Sequence, residues 1–152
     1  MNVENLMSRS PKTCTPDHML DCAARSMWDG DCGVVPVVDE QRRVVGMITD
    51  RDICFAAYTQ NRRLGEIPIS SVALKQVVTV RQDESVEAAE SLMQRHQVRR
   101  LAVVDENKRL VGVLSLTDLA RSAARHPLDL STERISQTLA AIGRPHRARA
   151  TA

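Results

Sequence analysis

The stretch VVDEQRRVVGMITDRD, residues 37–52, returns as VVDENKRLVGVLSLTD at residues 103–118. The offset is 66 positions. Working outward, Thr13 meets Thr79, Asp17 meets Asp83, Ala23 meets Ala89 and Met27 meets Met93. Across the 41 positions 13–53, 12 pairs are identical without a gap, where chance at typical composition gives about two or three. The chain is a tandem duplication.

Each copy reads the same way. KTCT and VVTV are expected as short strands. TPDHMLDCAARSMW is expected as a helix with Thr15 as N-cap and Pro16 in the first helical position. Leu20, Ala23, Ala24 and Met27 form its apolar face. In the second copy Asp83 is the candidate cap, and Val86, Ala89, Leu92 and Met93 form the face. VVPVV and LAVV are apolar strands, and Pro36 argues for an edge or irregular position in the first. DEQRR and DENKR are polar connections suited to hairpins. VVGMIT and LVGVLS return, and DRDICFAAYTQ and TDLARSAARH close as short helices. ENLMSR and ISSVAL read as short lead-in helices at matching places, with NRRLGEIPIS as the linker.

The unit is therefore β-α-β-β-α. One such unit buries too little surface to stand comfortably alone. The expected fold class is α+β: two repeats, residues 1–62 and 63–126, packed sheet to sheet with pseudo-two-fold symmetry. Residues 127–152 add a C-terminal helix and tail. Ile135, Leu139 and Ile142 mark the helix over 131–142, which meets either the body or a second subunit. RPHRARATA is read as disordered.

Composition narrows the function. The 152 residues are 43% hydrophobic and only 2% aromatic, so the core must be aliphatic. The net charge is +2, with about +4 after residue 120 and about −2 before it. The body is thus no polyanion-binding surface, and a tail without aromatics is a poor nucleic-acid site. No apolar run reaches the ~18–20 residues of a membrane span, and no secretory signal is present, which points to the cytoplasm. Cys14, Cys22, Cys32 and Cys54 are spaced by 8, 10 and 22 and match no CxxC pattern. They are read as packed thiols. The four histidines show no metal spacing, so no metal is expected. Without GxGxxG, P-loop or a local Ser–His or Cys–His pairing, no catalytic residue is assigned.

GMITDRD and GVLSLTD each place a hydroxyl three residues before an aspartate. Two readings stay open on spacing alone. The pair can cap a helix, or the carboxylate can accept hydrogen bonds from the adjacent hydroxyls of a ribose.

The duplicated unit, with its PVVDE and GhhT-x-x-D runs, resembles the CBS domain family over residues 3–125. The family is named after cystathionine β-synthase, and its tandem pairs are called Bateman modules. The resemblance implies a regulatory, non-enzymatic protein that senses adenosyl ligands in signal transduction: AMP, ADP or ATP, with S-adenosylmethionine or NAD as alternatives and no obligatory cofactor. It places ribose clamps at Thr49 and Asp52 and at Ser115 and Asp118. It places adenine slots at Cys14, Val34, Val35 and Pro36, and at Val80, Leu101 and Ala102. Phosphate contacts fall on Arg99 and Arg100, where the first copy has Gly33 and Val34. The second clamp is therefore expected to be the one suited to a phosphorylated nucleotide. A homodimer and an unidentified regulated partner are also implied. An interaction scaffold with vestigial pockets is the alternative.

Overall fold

The computed structural model describes residues 1–73, 76–128 and 130–145. The secondary structure follows the duplicated pattern. Strand β1 (Ser8–Arg9) precedes helix α1 (Leu20–Gly30), the hairpin β2 (Val34–Val38) and β3 (Val44–Thr49), and helix α2 (Asp50–Gln60). The second round runs β4 (Thr79–Arg81), α3 (Val86–His96), β5 (Arg100–Val104), β6 (Leu110–Ser115) and α4 (Leu116–Arg125), followed by α5 (Thr132–Ile142). The two lead-in segments are single 3-10 turns, Val3–Asn5 and Ile69–Ser71, at equivalent positions.

Local chemistry explains why the hairpins match. Asp39 Oδ1 accepts from the Gln41 and Arg43 amides at 2.9 and 2.8 Å, and Asp105 Oδ1 accepts from Asn107 and Arg109 at 2.8 Å each. These aspartates substitute for backbone acceptors in the turn. Arg42 and Lys108 occupy equivalent left-handed positions at φ 62° and 61°. Each hairpin also carries a bulge, between Val37 and Val38 and between Val103 and Val104.

The first strand of each copy differs. The end of VVTV enters β4, parallel to β5. KTCT gives only one bridge, Cys14 to Val37. The Val38 amide donates to Cys14 O at 2.9 Å. Two residues earlier on the same edge stands Pro36, which has no N–H to continue the ladder. The expected caps also move. Helix α1 starts at Leu20 behind Met19, without a side-chain cap, because residues 15–18 form a separate turn. The cap of α3 is Ser85, whose hydroxyl accepts from the Ala88 amide, while Asp83 pairs with Arg81.

The lead-in segments are exchanged. Val3 and Met7 are buried in the core of the second unit, whereas Ile67, Ile69 and Ala73 are buried in the core of the first. The exchange is symmetric bond by bond. Val3 N donates to Glu84 O at 2.9 Å, and Ile69 N donates to His18 O at 2.8 Å. Val86 N donates to Met1 O, and Leu20 N to Ile67 O. Strand β1 thus joins the second sheet, in the order β1-β6-β5-β4. The halves meet at a small third core of Val38, Ala102 and Leu110. There Arg43 bridges Arg109, its own counterpart, so the pseudo-two-fold axis passes between them.

Helix α5 has no counterpart in the first unit. It packs on α3 and α4, burying Ile135, Thr138 and Ile142, while Leu139 is exposed. Its anchor is Arg134, whose Nη2 lies 2.6 Å from Glu90 Oε2. Glu90 is 1% exposed, and among the described residues Arg134 is the one charged group that its buried carboxylate meets. Burial pushes the Glu90 carboxyl up, and Arg134 pulls it back only in part. Arg134→Met should therefore destabilise the fold by about 2–3 kcal/mol in urea unfolding, and Glu90→Met by much less. The loss in Arg134→Met should be full at pH 7 and shrink as pH falls through the raised Glu90 pKa, because protonation removes the stranded charge.

No helix among the described residues is long and apolar enough to cross a membrane. The tail from residue 146 lies outside the described residues.

Candidate functional site

Thr49 and Ser115 each end a strand and cap the following helix. Ser115 Oγ accepts from the Asp118 amide at 3.1 Å, and Asp118 Oδ2 accepts from the Ser115 amide and hydroxyl at 2.8 and 2.6 Å. Thr49 and Asp52 repeat the arrangement at 3.1, 3.0 and 2.8 Å. Both are complete capping boxes. Capping consumes only Oδ2. Among the described residues Oδ1 of either aspartate makes no hydrogen bond, and both side chains are half-buried. Capping and ligand binding are thus compatible: the first oxygen fixes the carboxylate, and the second is left as a charged acceptor.

Two clefts of about 450 Å³ each lie at the clamps, a size suited to a small organic ligand: Ser115 and Asp118 both line one, whereas Thr49 lines the other and Asp52 stands behind it. The clefts are pseudo-symmetric because each is built from both units. The first is lined by Met47, Thr49 and Arg51 on one side and by Val77, Val78, Arg99 and Arg100 on the other. The second is lined by Val113, Ser115, Asp118 and Arg121, facing Pro11, Lys12 and Asp31. Val34 and Arg100 reach both. Ile142 of α5 closes one side of the first cleft.

Arg99 lies opposite the other clamp from the one expected, while Arg100 borders both clefts. In the sheet, Arg100 pairs with Ser115, and Leu116 N donates to Arg99 O at 2.9 Å. That is the neighbour relation the sequence suggests. The Arg99 side chain nevertheless lines the Thr49 cleft, because the clefts form across the pseudo-two-fold axis. Among the described residues Arg51, Arg99 and Arg100 make no ion pair. Arg51 lies over the Phe55 ring, 5.2 Å from its centroid. At Gly33, the counterpart of Arg99, a Cβ would lie 2.9 Å from Asp50 Oδ2 and 3.1 Å from Arg100 Nη2, so a side chain there would require those two side-chain ends to shift.

The expected adenine residues are placed differently too. Of that set only Val34 borders a cleft. Cys14, Val35, Val80, Leu101 and Ala102 are at most 1% exposed, and Pro36 is buried with them. The apolar cleft walls are instead Met47 with Val77 and Val78, and Val113 with Pro11. Val77 and Val78 stand just before VVTV's strand, so the signal was a neighbouring apolar pair displaced by two residues.

One cluster escaped the spacing test altogether. Cys14 Sγ lies 3.8 Å from Cys22 Sγ, and Cys22 Sγ lies 3.6 Å from His18 Nδ1. Burial, reinforced by the Cys22 thiol, pushes the Cys14 thiol up to about 12. Cysteines and histidines considered separately give no pattern; taken together they read C-x3-H-x3-C.

Comparison with known proteins agrees with this architecture. The family model described as CBS domain matches residues 3–58 and 69–125. The CBS domain-containing protein YhcV of Bacillus subtilis is 40% identical over 119 residues, covering 78% of this chain and 83% of the relative. The CBS domain protein PAE2072 from Pyrobaculum aerophilum, solved in complex with AMP, superposes with a TM-score of 0.76 at 28% identity, covering 87% and 99% of the two chains. Hypoxic Response Protein I, solved with two coordinated zinc ions, superposes with a TM-score of 0.72 at 28% identity, covering 80% and 98% of the two chains.

Proposed function

The chain belongs to the CBS domain family, and from that membership and its two clefts we propose that it is a regulatory module that binds an adenosyl nucleotide. The observation that carries the reading is the free Oδ1 of the helix-capping Asp118 in the second cleft, with the same capping box repeated by Asp52 behind Thr49 at the first. Thr49 with Asp52, and Ser115 with Asp118, would hold the ribose. Met47, Val77 and Val78 offer the adenine an apolar wall. Arg99, Arg100 and Arg51 stand where a phosphate would need cations, and guanidinium forks suit phosphate oxygens. AMP or ADP fits this set best, and S-adenosylmethionine or NAD is the competing ligand class. Occupancy would draw the two units together and change the surface offered to a regulated partner.

A second reading rests on a different observation. All three aromatic residues are exposed on α1 and α2: Trp28 88%, Tyr58 83% and Phe55 52%. Exposed aromatic side chains favour an interface, which supports a homodimer and, with empty clefts, a scaffold.

Thermal melting with AMP, ADP, ATP, NAD and S-adenosylmethionine tests both. A ligand at about 100 times its Kd should raise Tm by about 5–10 °C, and Asp52→Asn should cut that rise. If no ligand shifts Tm, while light scattering shows a dimer that Trp28→Ser dissolves, the scaffold reading replaces the sensor.

A further inference from the structure

The first unit gathers Cys14, His18 and Cys22 away from both clefts, and among the described residues the second unit has no such cluster. We propose that Cys14, His18 and Cys22 form a mononuclear site for a thiolate-preferring divalent ion, Zn²⁺, with a solvent molecule in the fourth position. Tetrahedral zinc holds thiolate sulfur at about 2.3 Å and imidazole nitrogen at about 2.0–2.1 Å, which requires S···S near about 3.8 Å and S···N near about 3.6 Å. The observed Cys14–Cys22 and Cys22–His18 separations are 3.8 and 3.6 Å. All three ligand atoms lie within 4.8 Å of one another.

The backbone sets each ligand in place. Cys14 is held against β2 by bonds to Pro36 O and from Val38 N. His18 ends the turn that displaces the start of α1, and its carbonyl accepts from Ile69 N at 2.8 Å. Cys22 lies in the first turn of α1. His18 Nδ1 accepts from the Thr15 amide at 3.3 Å, so the ring proton sits on Nε2, and a metal on Nδ1 would take over the lone pair that now holds this long hydrogen bond. Binding transfers the two thiol protons to solvent. It leaves a divalent cation with two thiolates and a neutral imidazole, a set with no net charge, which suits a site whose Cys14 is 1% exposed.

Two contrasts sharpen the assignment. The equivalent positions in the second unit are Val80, Glu84 and Ala88, so the site is no by-product of the duplicated fold. A Cys14–Cys22 disulfide would need the sulfurs to close to about 2.05 Å and would leave His18 unused. The ion would tie β2, the 15–18 turn and α1 together where residues 67–70 dock, so its binding stabilises the exchanged linker as well as the first core.

The test uses the full chain, purified under reducing conditions, stripped with a chelator and re-equilibrated with limiting Zn²⁺. One zinc per chain by elemental analysis is expected, with a Tm rise of about 5 °C or more. Co²⁺ in its place should show thiolate charge-transfer and tetrahedral d–d absorption. His18→Gln and Cys22→Ser alter exposed or half-buried side chains and should fold by circular dichroism. Each should weaken zinc binding at least about 100-fold, while Cys54→Ser and His96→Ala leave it unchanged. Binding indifferent to His18→Gln and Cys22→Ser, or no uptake by the reduced chain, overturns the proposal. So does recovery of a Cys14–Cys22 disulfide from a chain that takes up no zinc once reduced.

Discussion

Gly46→Val is expected to cost about 3 kcal/mol or more in urea unfolding, and Gly112→Val somewhat less. Strand propensity alone would favour both changes by up to about 1 kcal/mol, so sterics must decide the sign. A Cβ at Gly46 would strike the Ala73 carbonyl, and one at Gly112 would lie 2.8 Å from Ser8 O and 2.7 Å from Met7 Sδ. Backbone carbonyls of the exchanged lead-ins are the obstacle in both cases. The difference lies in what can give way. At Gly112 the nearest obstacle is the movable end of the Met7 side chain, and Ser8 belongs to the two-residue edge strand β1, so that short edge can give way. Ala73 is continuous with Ile67 and Ile69, both fully buried, so relief at Gly46 opens the first core. Trypsin should report the distinction: Gly112→Val exposes Arg9 and Lys12 to rapid cleavage, and Gly46→Val speeds cleavage at Arg62 and Arg63. Equal stability of Gly46→Val and wild type would mean that the lead-in exchange is not retained in solution.

What the sequence made legible was chemistry confined to a few consecutive residues. The 66-position offset foretold that the Asp39 and Asp105 turns and the Thr49 and Ser115 ends would be equivalents, because each is closed by bonds within four residues. The exchange of lead-ins was hidden, since Val3 and Ile69 are apolar in either unit and nothing local says which core receives them. The same exchange moved other features. Docking of residues 67–70 holds the 16–18 turn apart from α1, which is why Thr15 and Pro16 do not open that helix. In α5 the spacing of Ile135, Leu139 and Ile142 suggested a face, but contact with α3 and α4 rotates Thr138 inward, where Gln94 Nε2 donates to its hydroxyl at 2.7 Å. Arg99 was identifiable, through the family resemblance, as a basic residue just before the middle strand. Its cleft was not, because the sheet register that places its backbone beside Leu116 is local, and the cleft its side chain enters is assembled from both repeats.

That crossed arrangement makes the two clefts unequal in a measurable way. Arg99→Ala is expected to weaken AMP binding at the Thr49 cleft by about 10- to 100-fold, the range for losing a hydrogen bond between charged groups. Adenosine, which lacks the phosphate, should bind the variant and wild type alike. Asp52→Asn should weaken both ligands, because the amide must keep its oxygen on the Thr49 amide and hydroxyl and turn its NH₂ toward the ribose. Asp118→Asn should leave the tighter AMP site intact, since its cleft sets Lys12, Arg100 and Arg121 beside two carboxylates, Asp31 and Asp118, against Asp50 alone beside the three arginines of the first. Arg100 is a poor discriminator, because it borders both clefts. Calorimetric titration of the four proteins at fixed ionic strength separates these effects, since the phosphate contribution alone should fall with added salt. Loss of the tight AMP site in Asp118→Asn, with Asp52→Asn and Arg99→Ala unaffected, would assign the phosphate to the Ser115 cleft and make the arginine pair a solvated strand entrance.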